Sequence, residues 1–417
     1  MSGDGAVREQ YEAYPYPVRD PGDEASRLIT GSPSHILEIE HFVLAGGRAD
    51  GRADGFRALV AGGGTGDGAI MLAQQLADRG AGTVTYLDIS AASLTVAKAR
   101  AAARGLDNIS FHRGSLLELP EKGWAPFDYI DCCGVLHHLA DPAAGLAALV
   151  SVLAEGAGLG LMLYGELGRT GVYPAQRAIA RLAGGGPAGE RLALARRLLA
   201  AMPDGNWLKR NDYLADHLAG DDAGFHDLLL HGRDRAYLVG EIGELLADAG
   251  LRISGFLPVG AYRPEHYLND PELIGRAAGL AQPARWALAE ELSGAMKTHV
   301  FYAVRRGDEH RGAAAGFAPS MVPALREMTA ERLAAGLSRS PRLSATLGGV
   351  ERQFEAPAGA AAIVALIDGE RNLRQIHGRL RAKGAEFGWS EFQDKFSAIY
   401  DVLHPLNILL FAGAVLD

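Results

Sequence analysis

From about residue 34 onward the apolar positions of the chain fall into a repeating alternation. A helical pattern at 34–46 leads into a short apolar run, Phe56–Ala61, then a glycine turn and a second helical pattern, Ala69–Arg79. Strand Thr83–Ile89, an alanine-rich helix Ala91–Arg104 closed by Gly105, and strands Ile109–Arg113 and Tyr129–Cys133 follow, then helix Pro142–Leu153 and strand Leu159–Tyr164. Apolar runs separated by helices of about 10–15 residues predict right-handed crossovers and a parallel sheet, an α/β domain. Residues 165–236 break this rhythm with Arg- and Leu-rich helical stretches around a loop at 183–189, and predict a helical insertion. The alternation resumes with helix Val239–Ala249 and Gly250 as its C-cap, strand Leu251–Val259, a helical stretch near 271–293, and strand Thr298–Arg305.

Two segments flank this domain. Residues 1–30 are polar, with Tyr11, Tyr14, Pro15, Tyr16 and Pro17 close together. Proline fixes its own backbone and restricts the residue before it, which predicts an extended arm. A polar linker at 306–316 precedes a tail, 318–417, with a hairpin at Arg342–Glu355 and helices at Ala358–Ile367, Leu373–Lys383 and Ser390–Leu403. An apolar strand, Ile408–Phe411, closes it. The expectation is a smaller α+β domain of winged-helix-like form. About 100 residues can fold alone, so the tail is expected to be separable. It would recruit a peptide along the hairpin edge, or form a homodimer through Ile408–Phe411.

Composition narrows the class. The 417 residues are 48% hydrophobic and 22% charged, which suits a globular chain of two domains. A net charge of -9 argues against nucleic acid as a partner. The N-terminus lacks a secretory pattern, and no apolar run reaches the roughly 18 residues of a membrane span, so no membrane partner is expected. Cys132 and Cys133 are the only cysteines and are adjacent, a spacing that makes neither a structural disulfide nor a zinc framework. The expected setting is reducing and cytoplasmic. His35 and His41 lack partners at metal-ligand spacing, and no metal is expected.

The chemistry concentrates at Gly62-Gly63-Gly64-Thr65-Gly66-Asp67, between an apolar strand and a helix. Glycines there let the backbone turn sharply and let a ligand lie against the main chain. Asp88 ends the next strand, about 20 residues beyond, where a carboxylate can accept both hydroxyls of a ribose. Turn and acid together suit either a dinucleotide or S-adenosylmethionine. Three further segments separate the two: Phe127-Asp128-Tyr129-Ile130-Asp131-Cys132-Cys133-Gly134-Val135-Leu136-His137-His138-Leu139, the Glu155-Gly156-Ala157-Gly158 turn, and the closing strand pair Leu251–Val259 and Thr298–Arg305.

With these segments the chain resembles the class I S-adenosylmethionine-dependent methyltransferases over about residues 30–306. The resemblance implies a Rossmann-like sheet of seven strands with the last inserted antiparallel, S-adenosylmethionine as cofactor, and transfer of its methyl group to an acceptor, small molecule or protein side chain. It also implies that Gly62, Gly64 and Gly66 line the methionine and ribose portions, that Asp88 holds the ribose hydroxyls, and that Ile89 packs on adenine. Gly114, Ser115 and Leu116 would border the adenine amine, Cys133 the methionine end, and Tyr11 and Tyr16 would fold over the cofactor. Two positions depart from the family pattern: Val60 stands where many relatives carry an acid, and Ser115 replaces another. Asp67 is a partial substitute for the first. Methyl transfer needs a base only when the acceptor arrives protonated; His137, His138 and Tyr14 are the candidate catalytic side chains. The run Ile367-Asp368-Gly369-Glu370-Arg371-Asn372-Leu373 with Ile376 resembles peptide-chaperone (PqqD-like) modules. Alternative readings are a non-catalytic S-adenosylmethionine-binding regulator and an NAD-dependent oxidoreductase.

Overall fold

Strand β1 (Arg57–Ala61) is apolar on both sides: Leu59 and Ala61 face one core cluster, Ala58 and Val60 another. A strand buried on both faces belongs at the centre of a helix-covered parallel sheet, and that is its place. The computed structural model describes residues 3–45, 47–51, 55–80, 82–184, 186–214, 222–308 and 317–414. Strands β2 (Thr83–Asp88), β3 (Ile109–Arg113), β4 (Phe127–Cys133), β5 (Leu153–Gly165), a short β6 (Ala236–Tyr237), β7 (Leu251–Leu257) and β8 (Thr298–Arg305) complete the sheet, with the main order β3-β2-β1-β4-β5-β8-β7. β1 to β5 run parallel, and β8 lies antiparallel between β5 and β7, giving the expected Rossmann-like arrangement.

The chain's first helix is α1 (Gly3–Ala13), followed by α2 (Ile36–Phe42), α3 (Asp67–Asp78), α4 (Ala91–Arg104) and α5 (Pro142–Ser151). The insertion holds α6 (Val172–Ala183), α7 (Ala188–Ala201) and α8 (Asp222–Leu229); α9 (Val239–Asp248), α10 (Pro271–Ala278) and α11 (Gln282–Ser293) precede β8. α4 begins on a Ser90 side-chain cap and ends at Gly105 in the left-handed conformation, as its sequence predicts. Several boundaries differ, three of them with a clear local cause. The arm is helical up to Ala13; the Tyr-Pro-Tyr-Pro run leaves the helix, and the rest of the arm is irregular apart from a 3-10 turn at Pro21–Ala25. β5 starts at Leu153, with Glu155–Gly158 carried as a register shift against β4 rather than a preceding turn. β7 stops at Leu257 because Pro258 has no N–H for the ladder.

The tail contains β9 (Met321–Leu325), α12 (Ala330–Arg339), the hairpin β10 (Arg342–Leu347) and β11 (Val350–Glu355), α13 (Ala360–Val364), α14 (Leu373–Ala382), α15 (Trp389–Leu403) and β12 (Leu409–Ala414). Most of the expected linker, residues 309–316, lies outside the described residues, as do 215–221 and 185 of the expected insertion. β9 and α12 had no sequence-based counterpart; Pro323 within β9 disguises the strand. β12 pairs antiparallel with β9, not with the hairpin. Of the expected dimer contact Ile408–Phe411, Leu409, Leu410 and Phe411 are buried within the chain and Ile408 is half-buried.

The tail has its own core around Ile363, Ile376, Phe392 and Phe396, yet it is not a detached body. Ala324, Leu410 and Ala412 join the cluster that holds Phe42 and Val43. At this junction Glu38 on α2 is fully buried; it accepts hydrogen bonds from Tyr302 Oη at 2.7 Å, Ser32 Oγ at 2.8 Å and Asn407 Nδ2 at 2.6 Å. Arg326 of the tail lies 2.7 Å from the same carboxylate. Burial pushes the Glu38 carboxyl up, and Arg326 with the three hydrogen bonds opposes it. Removing one partner of a buried ion pair typically costs about 3 kcal/mol or more. Arg326→Ala is therefore expected to lower the unfolding free energy by about 3 kcal/mol, and adding Glu38→Gln should recover much of the loss. Urea unfolding of the two variants checks this; an unchanged single variant would show that the junction contributes nothing.

Candidate active site

The glycine turn leaves the end of β1 with Gly62 and Gly64 at positive φ, 78° and 52°. A Cβ on Gly62 would run into Val135, and one on Gly64 would sit 2.9 Å from the Tyr16 carbonyl. Gly63 faces the ring of Tyr86, whose hydroxyl donates to the Gly64 carbonyl at 2.6 Å. These contacts pin the loop against β2 and bring it to Asp88. The Asp88 Oδ2 accepts from Gly64 N at 2.8 Å and Oδ1 from Ser90 N at 2.8 Å. Each carboxylate oxygen keeps a further lone pair, enough for one ribose hydroxyl apiece. Burial raises the Asp88 pKa, against the backbone donors of Ser90, Gly64 and Ile89.

The turn opens into a cavity of about 890 Å³. Tyr11, Tyr16, Gly62, Gly64, Asp67, Asp88, Ile89, Gly114, Ser115, Leu116, Cys133 and His138 all line it. Three other candidates do not. Gly66 turns at the start of α3 and packs against Ala97 of α4. Tyr14 stacks on His226 with centroids 5.1 Å apart. His137 is buried against Tyr164 with centroids 3.9 Å apart, both ring nitrogens unpartnered. Asp67 reaches the cavity, but its carboxylate is committed: Arg19 Nη2 and Arg100 Nη1 each lie 2.6 Å away. Burial works against its charge, but the Arg19 and Arg100 bonds outweigh it and hold the carboxyl below its usual range. Ser115 Oγ accepts from Leu117 N at 3.2 Å, a local helix cap.

The arm roofs the cavity by identifiable bonds. Glu12 accepts from Ala91 N and Ala92 N at the start of α4, at 2.9 and 3.0 Å. Thr65 Oγ1 donates to the Pro17 carbonyl at 2.7 Å, and Arg19 grips Asp67. Glu24, buried just beyond, pairs with Arg100 and Arg104.

The same cavity holds a polar cluster in which Tyr11 and His138 were candidates from sequence while Tyr164, Asp227 and the neighbouring His231 were not. Asp227 of α8 accepts from Tyr164 Oη at 2.9 Å and Tyr11 Oη at 3.3 Å. His138 and His231 stack with centroids 3.9 Å apart. The backbone of one residue, Arg233, sets both tautomers. The Arg233 carbonyl lies 2.9 Å from His138 Nδ1, so that nitrogen carries the proton and Nε2 keeps the lone pair. Arg233 N donates to His231 Nδ1 at 3.0 Å, which leaves the proton on His231 Nε2. Burial lowers the His138 pKa, with Asp227 opposing, and lowers that of His231 to about 2. Ligand atoms of His138, Asp227 and His231 lie within 4.8 Å of one another, the one group among the described residues with metal-like spacing. A proton on His231 Nε2 and near-parallel rings do not suit a shared ion.

The outline matches known proteins. A family model described as "Methyltransferase domain" covers residues 59–159. The chain is 32% identical over 295 residues to an uncharacterized protein of Synechococcus, spanning 69% of this chain and 68% of that one. Together these decide the family. The chain belongs to the class I S-adenosylmethionine-dependent methyltransferases. A ubiquinone biosynthesis O-methyltransferase of Caulobacter is 32% identical over 155 residues, 36% of this chain and 58% of that enzyme. PKMT2 from Rickettsia typhi, solved with S-adenosylhomocysteine, has the same fold at a TM-score of 0.62 and 13% identity, over 93% of this chain and 77% of its own. The protein is therefore an enzyme using S-adenosylmethionine, and glycine turn, Asp88 and cavity volume fit that cofactor. For this methyltransferase, Asp88→Ala is expected to weaken S-adenosylhomocysteine binding at least tenfold, about 1.4 kcal/mol. Calorimetry on the folded variant decides; an unchanged Kd removes the ribose role.

Proposed function

We propose that this methyltransferase transfers the methyl group to a hydroxyl oxygen of a small acceptor, and that His138 receives the hydroxyl proton. The observation that carries the proposal is the hydrogen bond from His138 Nδ1 to the Arg233 carbonyl, which leaves the other nitrogen of a cavity-lining imidazole unprotonated. S-adenosylmethionine supplies a methyl group already activated on a sulfonium, so the protein's task is alignment, exclusion of water and removal of one proton. In the proposed roles Gly62, Gly64, Asp88, Ile89, Gly114, Ser115, Leu116 and Cys133 hold the cofactor, and Tyr11 and Tyr16 close it in. Asp227 orients Tyr11 and Tyr164 beside the acceptor. His138 takes the proton as the oxygen forms its bond to carbon, and passes it to solvent afterwards.

Residues 1–30 and the insertion 165–236 form the acceptor side in this reading, around the domain at 31–306. The tail, 318–417, is an accessory domain that supports α2. The sharing of sequence with ubiquinone biosynthesis O-methyltransferases supports oxygen as the methylated atom. No helix among the described residues is long and apolar enough to cross a membrane. A reducing, cytoplasmic setting is proposed on the two free thiols, Cys132 and Cys133.

A panel of phenols and aliphatic alcohols, scored by release of S-adenosylhomocysteine, tests the acceptor class; turnover confined to amines or thiols overturns it. With the acceptor in hand, His138→Gln is expected to lower kcat by about 10²–10³ while the cofactor Kd changes less than about threefold. The pH profile has a definite sign. The neutral imidazole is the active form and its pKa is lowered by burial, so activity should persist as pH falls through 6.5 and fail only below it. A kcat/KM that already declines from pH 8 to pH 7 would contradict the assignment.

A further inference from the structure

Five carboxylates line the cavity, and four of them are engaged. Asp67 is paired with Arg19 and Arg100, Glu118 with Lys122 at 3.2 Å, and Asp227 accepts from two tyrosines. Asp88 faces backbone donors and the ribose position. The fifth, Asp131, is 1% exposed and sits on β4, directly across from Val60 of β1. Its side chain accepts a short hydrogen bond from Ser34 Oγ, and among the described residues it forms no ion pair.

A carboxylate this deeply buried is expensive to ionise unless a cation or several donors compensate it. Burial pushes the Asp131 carboxyl up to about 6, with Ser34 and the Cys133 N–H opposing. The surroundings preserve the space beside it: a Cβ on Gly68 would stand 2.6 Å from Ser34 Oγ and 3.3 Å from Asp131 Oδ2. Asp131, Ser34, Gly68 and Cys133 line the cavity together with the glycine turn, and Ser34 and Gly68 stand beside the Asp131 carboxylate. S-adenosylmethionine carries two cationic groups, and only the α-ammonium of its amino-acid end has N–H donors for a carboxylate that has no ion-pair partner among the described residues.

We propose that Asp131, oriented by Ser34, binds the α-ammonium group of the cofactor. The assignment rests on S-adenosylmethionine as cofactor and is independent of the acceptor and of His138. It makes Asp131 a binding residue that discriminates the intact amino acid from a cofactor lacking its amine.

The test compares three ligands by calorimetry on the full chain: S-adenosylhomocysteine, its deaminated analogue, and 5′-methylthioadenosine, which lacks the amino-acid end. On the unmodified protein the deaminated analogue is expected to bind at least tenfold more weakly than S-adenosylhomocysteine. In Asp131→Asn that gap should shrink to about twofold, through loss of S-adenosylhomocysteine affinity alone, with 5′-methylthioadenosine unchanged. Ser34→Ala, which keeps the carboxylate and loses its orienting bond, should narrow the same gap part-way. Equal affinity of the first two ligands for the unmodified protein overturns the proposal without any variant. An Asp131→Asn that weakens all three alike also overturns it. Failure of the cofactor assignment reads differently, since then none of the three binds.

Discussion

Arg100 sets the constraint on which the site depends. Its guanidinium is 1% exposed, and a cation so placed costs several kcal/mol unless its donors are met. Glu24 accepts from its Nε at 2.7 Å, Asp67 from Nη1 at 2.6 Å, and the Thr65 carbonyl at 2.9 Å. Those partners come from the N-terminal arm, the start of α3 and the glycine turn, while Arg100 belongs to α4. Closing the arm over the turn therefore completes the coordination of a buried charge. Asp67 also lies at the N-terminus of α3, where a negative charge is favoured. The roof of the cavity is thus tied to the glycine turn.

A second buried charge plays the same part on the far side. Glu38 gathers Tyr302 of the sheet, Ser32 of the cavity wall, and Asn407 and Arg326 of the tail. The loop that supplies Ser32 and Ser34 is thereby held from behind by the tail while its front lines the cavity. His41 extends this junction by accepting from Phe411 N at 3.1 Å. Through Glu38, Asn407 and Arg326 of the tail meet the loop whose Ser34 donates to Asp131.

Local pattern made the sheet, the glycine turn and Asp88 legible, because each rests on residues adjacent in sequence: apolar runs, left-handed glycines, an acid at a strand end. What was not legible depends on pairs far apart. Asp67 looked like a substitute for the acid absent at Val60, yet two arginines from the arm and α4 claim it. A carboxylate does face the cavity beside Val60, but from β4. An acid inside an apolar strand, Asp131 among Tyr129, Ile130 and Cys132, was the available signal. His137 and His138 are equivalent in sequence; only the bond to the Arg233 carbonyl and the packing on Tyr164 set His138 at the cavity and keep His137 out of it. Asp227 and His231 sit in the insertion, where no motif marks them. The arm's helix and the pairing of β12 with β9 were hidden by prolines nearby.

The chemical account turns on one proton. Nitrogen-15 spectra of the imidazoles at neutral pH, with His138 assigned by comparison with His138→Gln, read its tautomer directly. The account predicts a neutral ring with Nδ1 protonated and Nε2 bare. A proton on Nε2, whether as the other neutral tautomer or as an imidazolium, would contradict it.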